Sequence, residues 1–308
     1  MGAKSVFPKA CSRTQPKASN SPKDQPAGCY NSFMPQERLD VLVYKTGLVE
    51  SRSLAQRFIM AGQVRVNGEL VIKPGTKVST NAILHIDHGP RYVSRGGEKL
   101  AAGLDQFSLD VAGLICADIG ASTGGFTDCL LQHGAEKVYA IDVGKGILHW
   151  KVRQDPRVVV MEQTNARYVS NLPEPIDLVT IDASFISLKI LLPVIRNWFI
   201  SQTEYSPPNQ LTGAVRYRQV VALVKPQFEA GKEVAARGKG IVRDPVVHQQ
   251  VLVEVLEFAR QLGYGIRGLI RSPLIGPKGN VEFLAWLKIP YKTDDSVELM
   301  ISRALKSD

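Results

Sequence analysis

The sequence predicts an α/β protein, a mostly parallel sheet with helices on both faces, preceded by a small α+β unit. Three observations carry this. Five apolar runs between residues 114 and 224 alternate with helical stretches, as in a parallel sheet covered on both sides. The first run, Leu114 to Ile119, passes straight into Gly120-Ala-Ser-Thr-Gly-Gly-Phe126. Such a strand–turn–helix junction lies at the carboxyl edge of the sheet, where open α/β folds bind ligands. Residues 38–87 instead show two short helical stretches and then alternation around Asn67-Gly68, a hairpin signal.

Taken in order, residues 1–37 form a tail rich in Ser, Pro, Lys and Asn. It is predicted to be disordered, because so little apolar surface cannot offset the entropy of ordering. In the 38–87 unit, Leu39, Leu42 and Val43 share a helical face that ends at Gly47. Ser51 or Ser53 caps a second helix carrying Leu54, Ala55, Phe58 and Ile59, with Gly62 as terminator. The run Val64 to Ile72 reads as the hairpin, Lys73-Pro-Gly75 as a turn, and Ala82 to Ile86 as a closing strand. Residues 88–98 are a linker to a body spanning 99–308. Its strands are expected at 114–119, 137–141, 157–161, 177–181, 219–224, 265–271 and 280–287, the last two a hairpin-like antiparallel pair. Helices are expected from Thr127 to His133, over 245–262 and from Asp294 to Lys306; residues 201–218, with Pro207-Pro208, read as an inserted loop.

The net charge of +9 is unevenly placed. Residues 100–308 carry 23 basic and 22 acidic groups, whereas residues 38–99 carry ten and five. A localised positive surface fits a polyanion, most commonly nucleic acid. No run of about 18 apolar residues exists, so no membrane-spanning helix is expected. The tail lacks the apolar stretch of a secretory signal. Cys11, Cys29, Cys116 and Cys129 show no CxxC pairing and the five histidines are scattered, which argues for a reducing compartment and against a metal site. The expected location is the cytoplasm, with an organellar transit peptide as the alternative for the basic tail.

The glycine-rich junction points to a nucleoside-bearing cofactor. Asp142 ends the next strand, about 20 residues past the loop, where a carboxylate accepts hydrogen bonds from ribose hydroxyls. Neither G-x-G-x-x-G nor a phosphate loop is present. Asp118 before the turn would repel a phosphate but suits a cation, which favours S-adenosylmethionine. The expected cofactor contacts are Asp118, Gly120, Ser122, Thr123, Gly124, Gly125, Phe126 and Asp142.

Four charges stand at element ends: Lys99 in Arg95-Gly-Gly-Glu-Lys-Leu100, Asp182 after Leu178 to Ile181, Lys225 after Val220 to Val224, and Glu282 beside Phe283. Burying unpaired ions costs several kcal/mol, so these four are either structural ion pairs or a site. A ribose hydroxyl attacking an electrophilic methyl needs help in losing its proton. Lys225 is the residue expected to give it, as base or as stabiliser of the alkoxide; lysine's ordinary pKa of about 10.4 makes it a poor base unless desolvation lowers it.

These residues carry two resemblances. Arg38-Leu-Asp40, Ser51-Arg-Ser53, Ala61-Gly-Gln-Val-Arg-Val-Asn-Gly68 and Lys73-Pro74 resemble the RNA-binding module of ribosomal small-subunit protein four and of bacterial pseudouridine synthases. That implies RNA contacts by Arg38, Arg52, Arg57, Arg65 and Lys73. Asp118 to Thr127, Asp182-Ala-Ser-Phe-Ile-Ser-Leu188, Val224-Lys-Pro-Gln-Phe-Glu229 and Gly279-Asn-Val-Glu-Phe283, with the Lys99 segment, resemble the TlyA family of FtsJ-like rRNA 2′-O-methyltransferases, once described as haemolysins. The resemblance implies a Rossmann-like class I methyltransferase with a seven-stranded sheet, and a catalytic tetrad Lys99, Asp182, Lys225 and Glu282. It further implies cofactor contacts at Gly124, Phe126 and Asp142, with Asn165 where relatives carry Asp, and cytidine methylation in small- or large-subunit ribosomal RNA. Two alternatives stand beside it: a ribosome-assembly factor without turnover, and a membrane-lytic protein.

Overall fold

The computed structural model describes residues 35–201, 218–231, 233, 238–276, 278–289 and 296–306. The expected disorder of the tail up to residue 34, and nearly all of the 201–218 insertion, fall outside the described residues. The chain divides into two compact units, Met1–Asp87 and His88–Asp308.

The first unit contains β1 (Gln36–Arg38), α1 (Leu39–Lys45), α2 (Arg52–Met60), β2 (Val64–Val66), β3 (Glu69–Leu70), β4 (Lys77–Ser79) and β5 (Leu84–Ile86). Ser51 is the cap of α2, its hydroxyl accepting from the Leu54 N–H at 3.2 Å. Asn67 and Gly68 both have positive φ, 52° and 88°, as a two-residue hairpin turn of the right twist requires. The Asn67 side chain also accepts from the Ile83 N–H at 2.9 Å, tying the turn to β5. The hairpin is shorter than its alternation suggests: β3 stops at Leu70, and Ile72 beyond it is exposed. The antiparallel β1–β4 ribbon was not expected from the sequence, since three-residue strands are too short to show a period. Leu39, Leu42, Val43, Ala55, Ile59 and Val64 close the core of this unit.

The second unit contains α3 (Gly96–Phe107), β6 (Ile115–Ile119), α4 (Gly125–Gln132), β7 (Lys137–Ile141), α5 (Trp150–Arg153), β8 (Val158–Met161), β9 (Leu178–Ile181), α6 (Leu188–Ser201), β10 (Arg218–Val224), α7 (Pro226–Glu229), α8 (Pro245–Gln261), β11 (Gly265–Arg271), β12 (Phe283–Ile289) and α9 (Val297–Lys306). Among the described residues seven strands form one sheet, in the order β11-β12-β10-β9-β6-β7-β8. The five from β10 to β8 are parallel, and β12 runs antiparallel to both β10 and β11. Residues such as Trp198, Leu252 and Ile301 of α6, α8 and α9 pack one face; Leu100, Phe126 and Leu130 of α3 and α4 pack the other. The chain starts the sheet at β6 and leaves it in opposite directions, to β7 and later to β9. Ligands bind at the carboxyl ends of strands at such a switch point.

Candidate active site

Register brings the four charged residues together. Val224 of β10 pairs with Phe283 of β12, so Lys225, just after β10, and Glu282, just before β12, leave the sheet side by side. Asp182 follows the neighbouring strand β9, and Lys99 lies in the first turn of α3. The Lys99 ammonium donates to Glu282 Oε2 at 2.5 Å, and Lys225 lies 2.7 Å from Asp182 Oδ1. The two pairs differ in burial: the Glu282 side chain is 2% exposed and that of Asp182 23%. Lys225 also donates to Ser184 Oγ at 3.1 Å and to the Asp182 carbonyl at 3.3 Å. Gln227 Nε2 donates to the second oxygen of Glu282 at 3.3 Å. All four line a cleft of about 880 Å³ together with Ser184, Phe185 and Phe228.

Two further clefts meet this one at Gly120, Ser122 and Asp182. One, about 500 Å³, is lined by Asp142, Asn165, Ile147 and Leu191. The other, about 230 Å³, is lined by Arg95, Gly96, Ser122, Thr123, Gly125 and Phe126. The Asp142 carboxylate is fixed by two backbone N–H groups, Ser122 at 2.8 Å and Gly144 at 2.7 Å, which leaves lone pairs for further donors. Asn165 caps a short 3-10 turn through a bond from Arg167 N–H at 3.1 Å. Gly120 has φ +83°, and a Cβ there would lie 2.8 Å from the Asp182 carbonyl. Only glycine lets the two loops approach this closely.

Two expected cofactor contacts lie away from the walls of these clefts. Asp118 is wholly buried within β6, and its oxygens accept hydroxyl bonds from Thr127 at 2.7 Å and Thr180 at 3.0 Å. Burial, aided by the nearby charge of Asp182, pushes its carboxyl up to about 7 despite these bonds. It ties strand to helix and lines none of the three clefts. Gly124 also lies off their walls: with φ +94° its α-carbon faces Leu148 and Val152, so its role is to turn the backbone into α4.

Residues 92–289 match the family of FtsJ-like methyltransferases, and residues 37–84 match the S4 domain. The TlyA protein of Mycobacterium tuberculosis (strain ATCC 25618 / H37Rv), named a 16S/23S rRNA (cytidine-2′-O)-methyltransferase, is 44% identical over 82% of this chain and 89% of its own length. The chain belongs to the TlyA family of FtsJ-like methyltransferases. Hemolysin A of Brachyspira hyodysenteriae is 40% identical over 80% of this chain and 98% of its own length. A solved structure described as a candidate hemolysin from Streptococcus thermophilus is 45% identical, with a TM-score of 0.60, covering 89% of this chain and 97% of that one. Among the described residues no helix is long and apolar enough to cross a membrane, and none of the His, Cys, Asp and Glu side chains cluster in threes fit to hold a metal.

In the S4 domain the five expected RNA contacts divide. Arg57, Arg65 and Lys73 are exposed. Arg38 and Arg52 are committed to the buried Asp40, at 3.0 and 2.9 Å, which also accepts from Gln56 at 2.7 Å. These neighbours hold the Asp40 carboxyl far below its ordinary range against the cost of burial. The two arginines are therefore a structural clamp first. Around the tetrad, Ser184, Phe185, Gln227 and Phe228 were missed; each lies in a segment read for its neighbouring charge, and only the aromatic residues left a signal, as large apolar groups next to catalytic candidates.

Proposed function

We propose that this chain transfers a methyl group from S-adenosylmethionine to the 2′-hydroxyl of a cytidine in ribosomal RNA. The observation that carries this reading is the pairing of Lys99 with Glu282 and of Lys225 with Asp182 at the point where the three clefts meet. The residues suit the cofactor. Asp142 has acceptors for ribose hydroxyls, Ile147 and Leu191 give an apolar wall for a base, and Arg95 offers a counter-charge to an amino-acid carboxylate. When bound, the cofactor supplies an electrophilic methyl on a sulfonium; Asp182, whose side chain is partly open to the clefts, provides a compensating negative charge.

The wide cleft of about 880 Å³ takes the nucleotide. Its exposed Phe185 ring offers a stacking face for a base turned out of its helix. Lys225 Nζ lies against Asp182 Oδ1, Ser184 Oγ and, at a longer 3.3 Å, the Asp182 carbonyl. Exchanging the long carbonyl bond for the 2′-oxygen lets Lys225 donate to it while negative charge develops there, the hydroxyl proton passing to water in the open cleft. Asp182 and Glu282 hold the two ammonium groups in place, so the 2′-oxygen is aligned before it reacts. The cytidine and the ribosomal RNA rest on the named activity of the M. tuberculosis relative. Incubating the protein with labelled S-adenosylmethionine and ribosomal subunits from cells lacking it, then mapping 2′-O-methyl marks, tests the reading. Label confined to cytidine 2′-oxygens is expected; label on bases, or none, removes it.

A further inference from the structure

The loop from Asp182 to Ser187 borders all three clefts, yet its shape is unfavourable on its own terms. Phe185 has φ +63°, a left-handed conformation that is an outlier for a bulky side chain. Its ring is 91% exposed, so burial does not compensate. Such a conformation persists only where the surroundings over-determine it. The short helix α7 does so from three places. Lys225, at its start, holds Ser184. Phe228 packs its ring against Phe185, centroids 4.9 Å apart. Glu229 accepts from Ser187 Oγ at 2.5 Å and from the Leu188 N–H at 2.7 Å.

The Glu229 bonds are not needed to start α6. Ser187 already accepts from the Lys189 N–H at 3.1 Å, the ordinary cap of a helix start. Glu229 lies outside the walls of the clefts and reaches across about 40 positions of chain to grip the loop. Building on the reading of the 880 Å³ cleft as the nucleotide site, we propose that Glu229 is a positioning residue for the target nucleotide. It latches the loop so that Phe185 and Ser184 stand ready at the mouth.

The test compares Glu229→Ala, Glu229→Gln and Ser187→Ala with the wild type in methyl transfer to ribosomal subunits. For Glu229→Ala the KM for RNA should rise about tenfold, the factor matching one lost charge-assisted hydrogen bond. Affinity for S-adenosylmethionine by calorimetry should fall by less than the KM rises, the unfolding midpoint should drop modestly for the two lost bonds, and the Leu188 amide should exchange faster. Glu229→Gln, which keeps a carbonyl acceptor, should recover most of the loss. Ser187→Ala should shift the same KM in the same direction from the other side of the latch. An unchanged KM in both Ala variants, or a loss that follows the unfolding midpoint and is not rescued by Gln, overturns the latch. Absence of transfer by the wild type would overturn the nucleotide site itself and the latch with it.

Discussion

Lys99 and Lys225 make similar ion pairs but should respond differently to removal, because their partners differ in access to water. Lys99→Ala would leave Glu282, 2% exposed, as an uncompensated buried charge, a loss of about 3–5 kcal/mol in folding stability. Lys225→Ala leaves Asp182 open to solvent on one side. Its fold should survive while methyl transfer falls by about 10²–10³, the cost of losing one donor to a developing oxyanion. Chemical unfolding and single-turnover transfer on both variants separate the two effects; near-normal turnover in Lys225→Ala would take it out of the catalytic set. Asp118 gives a second test, in pH. Its carboxyl ionises near 7 in the folded chain and near 3.9 when unfolded. Between those values the unfolded state binds fewer protons than the folded one, so stability falls as pH rises across this window and levels off above it. Three units at about 1.4 kcal/mol each make the effect of the order of 4 kcal/mol. Urea unfolding at pH 5 and pH 8 should show the wild type losing stability and Asp118→Asn losing distinctly less.

At the scale of elements, helix α2 depends on one buried carboxylate. Asp40 takes bonds from Arg38, Arg52 and Gln56, which fasten the start of α1 to α2. Both arginines are about half exposed, so removing Asp40 strands no buried cation. The expected cost of Asp40→Ala is thus that of lost hydrogen bonds to a charged group, about 2–3 kcal/mol, visible as faster amide exchange in α2. How far the sequence disclosed each element follows from the same physics. The strands of the second unit were legible because strands covered on both faces are continuous apolar runs. That very continuity hid which way Asp118 points, since a run with no polar face gives no alternation to read. The β1–β4 ribbon was hidden for the opposite reason: three residues pairing across some 40 positions of chain leave no local pattern. Asp182, Lys225 and Glu282 stood out because each interrupts or ends an apolar run, and Lys99 because it stands at the start of a helix. Glu229 and Ser187 did not, because a Glu and a Ser in loop-like segments are unremarkable until their distance is known.

At the scale of the whole molecule, charge divides the work. The methyltransferase body is nearly neutral while residues 38–99 hold ten basic groups against five acidic ones, so electrostatic attraction for RNA must come largely from the S4 domain and the segment after it. The number of cations free for that purpose is smaller than the count suggests, because Arg38 and Arg52 already neutralise Asp40. Of the five expected contacts Arg57, Arg65 and Lys73 remain, exposed. Each phosphate contact releases counterions and adds about 0.7–0.9 to the slope of log affinity against log salt. Replacing these three by Gln should therefore flatten that slope by about 2–3, measured by filter binding to a ribosomal RNA fragment from 50 to 300 mM salt. Replacing Arg38 and Arg52 instead should change stability more than slope. With saturating RNA, turnover by the triple variant should stay close to that of the wild type, because the tetrad is built wholly within the other unit. A slope that does not move on removing Arg57, Arg65 and Lys73 would mean that the S4 domain holds its RNA through surfaces other than this positive one.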